Sequence, residues 1–276
     1  MKDHIRRVLP DRTRSEVRIG CSGWTYASWR DEFYPSTLPS SRWLLHYASV
    51  FDTVETNGTF YRLPEADTFI RWHDATPTNF LMSVKASRYL THLKQLREPE
   101  EPLERLISRA AGLGSKLGPL LYQFPPTLQR SDERLLMFLR ALTRRTPSVT
   151  HRLRHVIEFR HPSWYTDAVF AMLERHDVAC CLHDRTGSSF DTLIPGSFAY
   201  IRFHGTSGRY AGEYTLPMLR RWAHRIALWH AQGRDVYAYF NNDPGAAAPR
   251  NALMLRSLLG LAETTHASEP WSDAVH

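Results

Sequence analysis

Eight short runs with strand character alternate with helical patterns along this chain of 276 residues. Each run is rich in β-branched, aromatic or aliphatic residues and is bounded by turn-forming residues. Parallel strands need long crossover connections, which the helical patterns can supply. Short apolar strands are typical of a parallel sheet that is buried on both faces. The pattern therefore predicts an α/β fold, a single (β/α)8 TIM-like barrel. The predicted strands are Val17–Ser22, Thr53–Asn57, Phe80–Lys85, Pro119–Gln123, His155–Phe159, Val178–His183, Phe198–Phe203 and Asp235–Phe240.

Helical patterns fill most of the intervals between these runs, and several have a clear start or stop signal. One interval differs, because the stretch from Asp184 to Ser197 contains Gly187, Pro195 and Gly196. Glycine and proline favour turns, so we expect an irregular sixth crossover formed by a loop or a very short helix. The predicted helices are Arg42–Phe51, Ala66–His73, Leu103–Leu113, Asp132–Leu142, Asp167–His176, Pro217–Gln232 and Ala246–Leu261.

No linker rich in proline, serine or glycine divides the chain, so we expect one domain. The barrel is predicted for residues 17–261, with a basic N-terminal arm at 1–16 and a flexible C-terminal tail at 262–276. The start of the chain is charged, and no stretch approaches the ~20 apolar residues of a membrane span. The cysteines Cys21, Cys180 and Cys181 lack the spacing of a zinc or redox motif and are predicted to be buried thiols. These features predict a cytoplasmic protein without a membrane partner.

The formal net charge of +7 leaves two interpretations open. The basic residues form either an ordinary solvated surface or a field that attracts anionic molecules. No block of Lys or Arg is interleaved with regularly spaced aromatic residues, which is the pattern of a single-strand binding groove. A nucleic-acid partner is therefore compatible with the charge but is not favoured, and nothing indicates the oligomeric state.

Polar and charged residues end most of the predicted strands, in phase with one face. Side chains alternate across a strand, and the carboxyl ends of the barrel strands form a single rim. We therefore expect these residues to line one pocket at the C-terminal mouth of the barrel. The shared faces are Thr53, Glu55 and Asn57; Ser83 and Lys85; Leu121 and Gln123; Val156, Glu158 and Arg160; Ala179, Cys181 and His183; Tyr200, Arg202 and His204; and Tyr237, Tyr239 and Asn241.

Two carboxylates in this set suit general acid–base catalysis. Glu158 is the first choice and Glu55 its partner, because their surroundings can tune a carboxylate pKa. Arg160 and Lys85 near Glu158 favour its ionised form. The alternative is that the charges neutralise one another as buried ion pairs. The candidate catalytic residues are Glu158, Glu55, Lys85, His183 and His204, the two histidines as proton shuttles.

Three roles remain open for Lys85. It could hold a phosphate or carboxylate, as Arg160 and Arg202 could beside it, it could belong to a structural ion pair, or it could form a Schiff base as in aldol-type barrels. No dinucleotide motif follows a strand, so no cofactor is predicted. A divalent metal is an alternative, although no binding signature links the candidate ligands, which are Glu55, Glu158, His183 and His204.

Loops after three strands supply further candidate ligand contacts. The loop after strand seven holds Gly205 and Arg209, and the loop after strand eight holds Asn241 and Asn242. Barrels often bind phosphate on backbone N–H groups in this region, although ordinary Gly-rich turns have the same composition. Aromatic residues after strand one either stack on a ligand or pack over the barrel. The candidate ligand-binding residues are Trp24, Tyr26, Asn57, Gln123, Arg160, Arg202, Gly205, Arg209, Asn241 and Asn242.

Seven sequence blocks occur in a characteristic order along roughly residues 17–260. They are GCSGW at 20–24, TVETNGTFYRLP at 53–64, SVKA at 83–86, GPLLYQFPP at 118–126, EFRHPSW at 158–164, RFHG at 202–205 and YFNND at 239–243. Together they resemble the YecE-like family, catalogued as domain of unknown function 72. The resemblance implies a TIM barrel and no settled activity, so it assigns no catalytic roles. Cys21 and Gly58 depart from the threonine and serine that the family often has there.

The mixed charges at the predicted barrel mouth favour an enzyme that acts by acid–base chemistry on a small anionic molecule, such as a sugar phosphate or a carboxylate. One alternative is a metal-dependent phosphodiesterase or nucleic-acid enzyme that uses the same His and Glu residues as ligands. Another is a non-catalytic barrel that binds a ligand or a protein.

Overall fold

Eight parallel strands form a nearly closed barrel in the computed structural model, which describes residues 15–143, 153–184, 195–207 and 210–261. Consecutive strands from β2 to β8 pair with one another, and β1 pairs with β8, so the predicted TIM-like barrel is confirmed. The strands are β1 Val17–Cys21, β2 Thr53–Thr56, β3 Leu81–Lys85, β4 Leu117–Gln123, β5 His155–Glu158, β6 Val178–His183, β7 Phe198–Phe203 and β8 Asp235–Phe240.

Helices lie between the strands, close to the predicted bounds. Ser131 and Thr166 cap two of them with side-chain oxygens that accept from the backbone N–H groups of Arg134 and Val169. The helices are α1 Trp43–Val50, α2 Gly58–Tyr61, α3 Ala66–Asp74, α4 Glu100–Ala110, α5 Asp132–Leu142, α6 Asp167–Arg175, α7 Leu216–Ala231 and α8 Ala247–Leu258.

Two differences from the predicted elements have a clear origin. Helix α4 begins at Glu100, three residues before the apolar pattern starts at Leu103. Glu100 and Glu101 occupy its first turn, where their negative charges interact favourably with the positive end of the helix dipole. The one-turn helix α2 is too short to show a helical pattern in the sequence. Most of the predicted irregular sixth crossover, the basic arm and the tail lie outside the described residues.

The barrel has an apolar layer on each side of the strands. Outward-facing strand residues pack against the helices in the larger core. Inward-facing residues form a second core inside the barrel, and its members have the predicted period-two phase. They are Leu121, Val156, Ala179, Cys181, Phe198, Tyr200, Tyr237 and Tyr239. All three cysteines are buried free thiols, as expected. Within the described part of the chain, no helix is both long and apolar enough to cross a membrane.

The seam between β1 and β2 closes through a side chain. The hydroxyl of Tyr47, from α1, accepts a hydrogen bond from the backbone N–H of Cys21 (2.7 Å) and donates one to the carbonyl of Thr53 (3.0 Å). The two strands are not paired in a ladder among the described residues. Tyr47 therefore satisfies one buried backbone group on each side of the gap.

We expect Tyr47→Phe to destabilise the protein by about 2–3 kcal/mol, because two buried backbone groups lose their partner. Chemical denaturation followed by circular dichroism measures this loss. Tyr61→Phe is the control, since Tyr61 is 75% exposed and its replacement should change the free energy of unfolding by less than about 0.5 kcal/mol. Equal effects of the two substitutions would contradict the role of Tyr47 in the seam.

Candidate active site

A buried arginine joins the two candidate glutamates inside the barrel. Arg202 Nη2 lies 2.7 Å from Glu55 Oε1, and Arg202 Nη1 lies 2.7 Å from Glu158 Oε2. All three side chains are fully buried. Tyr200 donates a hydrogen bond to the other oxygen of Glu55 (2.7 Å), and its hydroxyl also contacts Ser83 (2.7 Å). The predicted convergence of strands β2, β5 and β7 is therefore confirmed, and Arg202 is occupied by protein carboxylates.

A second arginine approaches Glu158 from the mouth. Arg160 forms an ion pair with Glu158 Oε1, and its Nη2 lies 2.9 Å from His204 Nε2. Burial raises the pKa of Glu158, but the charges of Arg160 and Arg202 outweigh burial and hold this pKa well below its usual range. Glu158 is therefore ionised, as its cationic neighbours predict. The Nε atom of Arg160 is buried and has no hydrogen-bond partner among the described residues.

Two histidines stand beside this ion-pair network. The backbone N–H of His204 donates to Asp184 Oδ1 (2.9 Å), and Tyr214 donates to the other carboxylate oxygen of Asp184. Nε2 of His183 lies 2.9 Å from the carbonyl of Phe159, so we assign its N–H to that nitrogen. The His183 and His204 rings meet edge to face with centroids 5.9 Å apart. Both histidines are thus oriented by their partners at the ends of β6 and β7.

Lys85, at the end of β3, is buried with 7% of its surface exposed, and it makes no ion pair with any described residue. Its Nζ lies 3.4 Å from Asn57 Oδ1 and 4.3 Å from the ring centre of Phe60. Burial, followed by the charge of Arg202, lowers the pKa of Lys85 to about 7, although Glu55 and Glu158 act against the shift. Near neutral pH, Lys85 therefore exists in both protonation states.

The mouth of the barrel disfavours additional positive charge. Burial is the main cause of a lowered pKa in three histidines, and the positive charge of Arg160 lowers each of them further. His92, His183 and His204 are these residues, and the pKa of His92 falls to about 4. Lys85 is affected by Arg160 in the same direction. The charge of Arg160 therefore helps to lower the pKa of four basic groups at the mouth.

The segments that follow β1 and β8 place three polar side chains, Tyr26, Asn241 and Asp243, at the mouth of the barrel. We orient the Asn241 amide so that its oxygen accepts from Arg202 Nη2 (3.3 Å) and its nitrogen donates to Asp243 Oδ2 (3.2 Å). Tyr26 donates to the carbonyl of Ser22 (2.5 Å). Burial raises the pKa of Asp243 to about 7, while the nearby Tyr26 hydroxyl and the charge of Arg202 partly offset this rise.

The other predicted ligand-binding residues are Asn242, Gly205, Trp24, Gln123 and Arg209. Asn242 is fully buried and donates to the carbonyl of Gly212 and to Asn251 (both 2.9 Å), which fixes the loops around it. The N–H of Gly205 donates to Tyr214 (2.8 Å). Trp24 packs edge to face on the ring of Trp72 from α3. Gln123 ends β4 and is partly exposed, and Arg209 lies outside the described residues.

Four residues of the site were not predicted from the strand ends or from the loops after strands one, seven and eight. Asp243 continues the inward phase of Tyr237, Tyr239 and Asn241, so the same period-two signal could have found it. Asp184 follows β6 in the opposite phase. Phe60 and His92 reach the site from short helical turns, where strand periodicity gives no signal.

Carboxylates in this site have arginines or hydrogen-bond donors as partners. The described residues include no group of three His, Cys, Asp or Glu side chains placed to hold a metal ion. Glu55 and Glu158 lie close together, but Arg202 lies between them. The four candidate metal ligands therefore do not form a ready coordination site in this conformation.

Comparison with known proteins agrees with the sequence blocks and the barrel. The UPF0759 protein YunF of Bacillus subtilis is 26% identical, and the match covers 89% of this chain and 95% of YunF. The UPF0759 protein YecE of Escherichia coli is 26% identical over 149 residues, covering 54% of this chain and 50% of YecE. A crystal structure of a DUF72 family protein from Thermotoga maritima superposes with a TM-score of 0.77 at 26% identity, covering 89% of this chain and 99% of that protein. The model of the family "Protein of unknown function DUF72" matches residues 18–274, and the chain belongs to that family.

Proposed function

We propose that the barrel mouth is the active site of an enzyme that binds a small anionic molecule and transfers a proton to it, with Lys85 in its ammonium form as the general acid. The observation that carries this proposal is a buried lysine without an ion-pair partner beside a second cation, Arg160. A buried charge without a partner is costly, so a site of this kind favours an anionic ligand.

The protonation state of Lys85 suits proton transfer. A general acid or base works best when its pKa lies near the operating pH, and Lys85 has a pKa of about 7 before the anion binds. Glu158 stays ionised between Arg160 and Arg202, so we assign it the role of orienting Arg160 instead of accepting a proton. The neutral His92 and His204 can donate or accept hydrogen bonds without adding charge. The anionic group of the substrate would contact Lys85 and the free Nε–H of Arg160.

Lys85 also lowers the stability of the protein at neutral pH. Its pKa is about 7 in the folded protein and about 10.5 in the unfolded chain, so the unfolded chain binds more protons between these two pH values. The contribution of Lys85 to stability therefore rises with pH through this window and is least favourable below pH 7. A buried residue with a strongly shifted pKa at a barrel mouth is a candidate for function.

We expect inorganic phosphate to bind in the mouth with uptake of close to one proton at pH 8. The bound anion stabilises the ammonium form of Lys85 and raises its pKa above the pH of the solution. Isothermal titration calorimetry in buffers with different ionisation enthalpies measures the number of protons taken up.

Lys85→Met should remove the proton uptake and weaken phosphate binding by about 10-fold or more, and it should raise the thermal stability at pH 7. Lys94→Met is the control, because Lys94 is a surface residue paired with Glu98. If phosphate, sulfate and citrate all fail to bind at millimolar concentration, or if Lys85→Met retains the uptake, the proposed role of Lys85 is wrong.

A further inference from the structure

We infer that the substrate carries hydroxyl groups as well as its negative charge, and that Asp243 and Ser22 bind these hydroxyls on the β1 and β8 side of the mouth. The substrate class is then a small phosphorylated or carboxylated sugar. This inference rests on the proposed function and adds a second contact region to it.

Two buried oxygen atoms in this region have no hydrogen-bond partner among the residues that the structure describes. They are Ser22 Oγ and Asp243 Oδ1, and Ser22 is fully buried. Leaving such an atom unpaired costs free energy, so native proteins pair nearly all of them with protein, water or ligand. Two unpaired oxygens of this kind at a barrel mouth are well suited to the hydroxyl groups of a ligand.

The two oxygens belong to one region. Strand β1 pairs with β8 so that Gly20 lies opposite Tyr239, and the backbone N–H of Ser22 continues this pairing by donating to Phe240 (2.7 Å). Ser22 therefore lies level with Asn241 and shares the inward phase of β1 with Gly20. Tyr26 links the two sides, because it donates to the carbonyl of Ser22 and also interacts with the Asp243 carboxylate.

The Asp243 carboxylate is held in place with one oxygen left over. Asn241 donates to Oδ2, and the indole N–H of Trp29 donates to the backbone carbonyl of Asp243 (3.0 Å). The position of Oδ1 is therefore fixed before any ligand arrives, which lowers the entropic cost of binding. A carboxylate oxygen accepts a strong hydrogen bond from a hydroxyl group, and the Ser22 hydroxyl can either donate or accept.

The charges here favour a neutral polar group. A second anion would be repelled by Asp243, and a cation would be repelled by Arg202, which lies 3.3 Å from the oxygen of Asn241. Hydroxyl groups avoid both penalties.

One side chain, Asn57, separates the hydroxyl contacts of Ser22 and Asp243 from the anion contacts of Lys85 and Arg160. This short separation sets the size of the ligand. Asn57 accepts from Lys85 through Oδ1 (3.4 Å) and donates to the carbonyl of Ser22 through Nδ2 (3.0 Å). A single small molecule can therefore contact Lys85 with its anionic group and Asp243 with its hydroxyls. A sugar phosphate or a sugar acid has this combination of groups within a few bond lengths.

Calorimetry with matched ligands tests the inference. Inorganic phosphate is compared with glycerol 3-phosphate, D-ribose 5-phosphate and D-glucose 6-phosphate, and acetate is compared with D-gluconate. At least one hydroxylated ligand should bind about 10-fold or more tightly than its simple anion, because it pairs both buried oxygens. The phosphate and carboxylate series distinguish the two sources of negative charge.

Asp243→Asn and Ser22→Ala should each remove most of this gain while leaving the affinity for inorganic phosphate within about twofold of the wild type. Thermal unfolding checks that each variant is folded, and Ser22→Ala serves alone if Asp243→Asn is not. If no hydroxylated ligand exceeds its simple anion, or if both variants retain the gain, the hydroxyl contacts are wrong while phosphate binding linked to Lys85 still supports the proposed function. If no anion of either series binds, both proposals fail.

Discussion

Replacing Arg202 with methionine is expected to destabilise the barrel by about 3–5 kcal/mol, the scale for removing one partner of a buried ion pair. Arg202 is fully buried and is the shared partner of Glu55 and Glu158. Without it, the Glu55 carboxylate keeps only the hydrogen bond from Tyr200, and Glu158 keeps only the ion pair with Arg160. Denaturant unfolding at pH 7 measures the loss.

The triple variant Glu55→Gln/Arg202→Met/Glu158→Gln is the matched control for charge. It removes the unpaired carboxylates together with the arginine, so it should be more stable than Arg202→Met alone even though it has two further substitutions. A triple variant that is less stable than Arg202→Met would show that packing around Arg202, and not its charge, holds the interior together. A loss below about 1 kcal/mol in the single variant would contradict the ion-pair network itself.

The loss of stability in acid that comes from Glu158 should also be smaller in Arg202→Met. In the wild type, the pKa of Glu158 is held below its unfolded value, so this residue contributes stability that is lost as the pH falls through the folded pKa. In the variant, Arg160 alone opposes the effect of burial, so the pKa of Glu158 lies higher than in the wild type and its stabilising contribution is smaller. Unfolding curves of both proteins between pH 2 and 5 measure this difference.

Gly20→Ala is expected to destabilise the protein by about 3 kcal/mol through the seam between β1 and β2. A Cβ atom at Gly20 would overlap the backbone carbonyl oxygen of Thr53 and crowd the Tyr47 hydroxyl. Because the obstacle is backbone, the two strands would have to move apart, and the hydrogen bonds of Tyr47 would lengthen. Thermal and denaturant unfolding measure the effect.

Gly58→Ala is the matched control for this substitution. A Cβ atom at Gly58 has no atom within 4 Å, and the residue lies in the one-turn helix α2. Its replacement should change the free energy of unfolding by less than about 1 kcal/mol, with stabilisation as the favoured direction because the unfolded chain loses freedom. If the two alanine variants are equally stable, close packing at the seam does not limit the barrel.

The sequence predicted the fold and the membership of the inner face well, because both depend on short-range periodicity. Glu55, Glu158 and Arg202 have period-two positions at the ends of buried strands, and the structure brings them into direct contact. The same rule applied one step further would have included Asp243. His92 and Phe60 could not be found in this way, since they reach Lys85 from turns with no strand phase.

The partner of each charge was not readable from the sequence. Lys85, Arg160 and Arg202 have similar positions in the pattern, and each was a candidate for binding an anion. In the structure, Arg202 is occupied by both glutamates, Arg160 shares Glu158 with Arg202, and Lys85 makes no ion pair with a described residue. This difference decides which cation is available to a ligand.

The sequence by itself determined the eight-stranded barrel, the phase of each strand and the rim at which polar residues collect, since alternation and turn chemistry act over a few residues. Only the tertiary structure decided which charges cancel, which lysine has a pKa near 7 and which buried oxygens of Ser22 and Asp243 remain unpaired. These properties depend on distances of a few ångströms between groups far apart in the chain. Electrostatic energies change steeply with the distance between two groups and with their burial. Neither the distances nor the burial are fixed until the strands have assembled into the barrel.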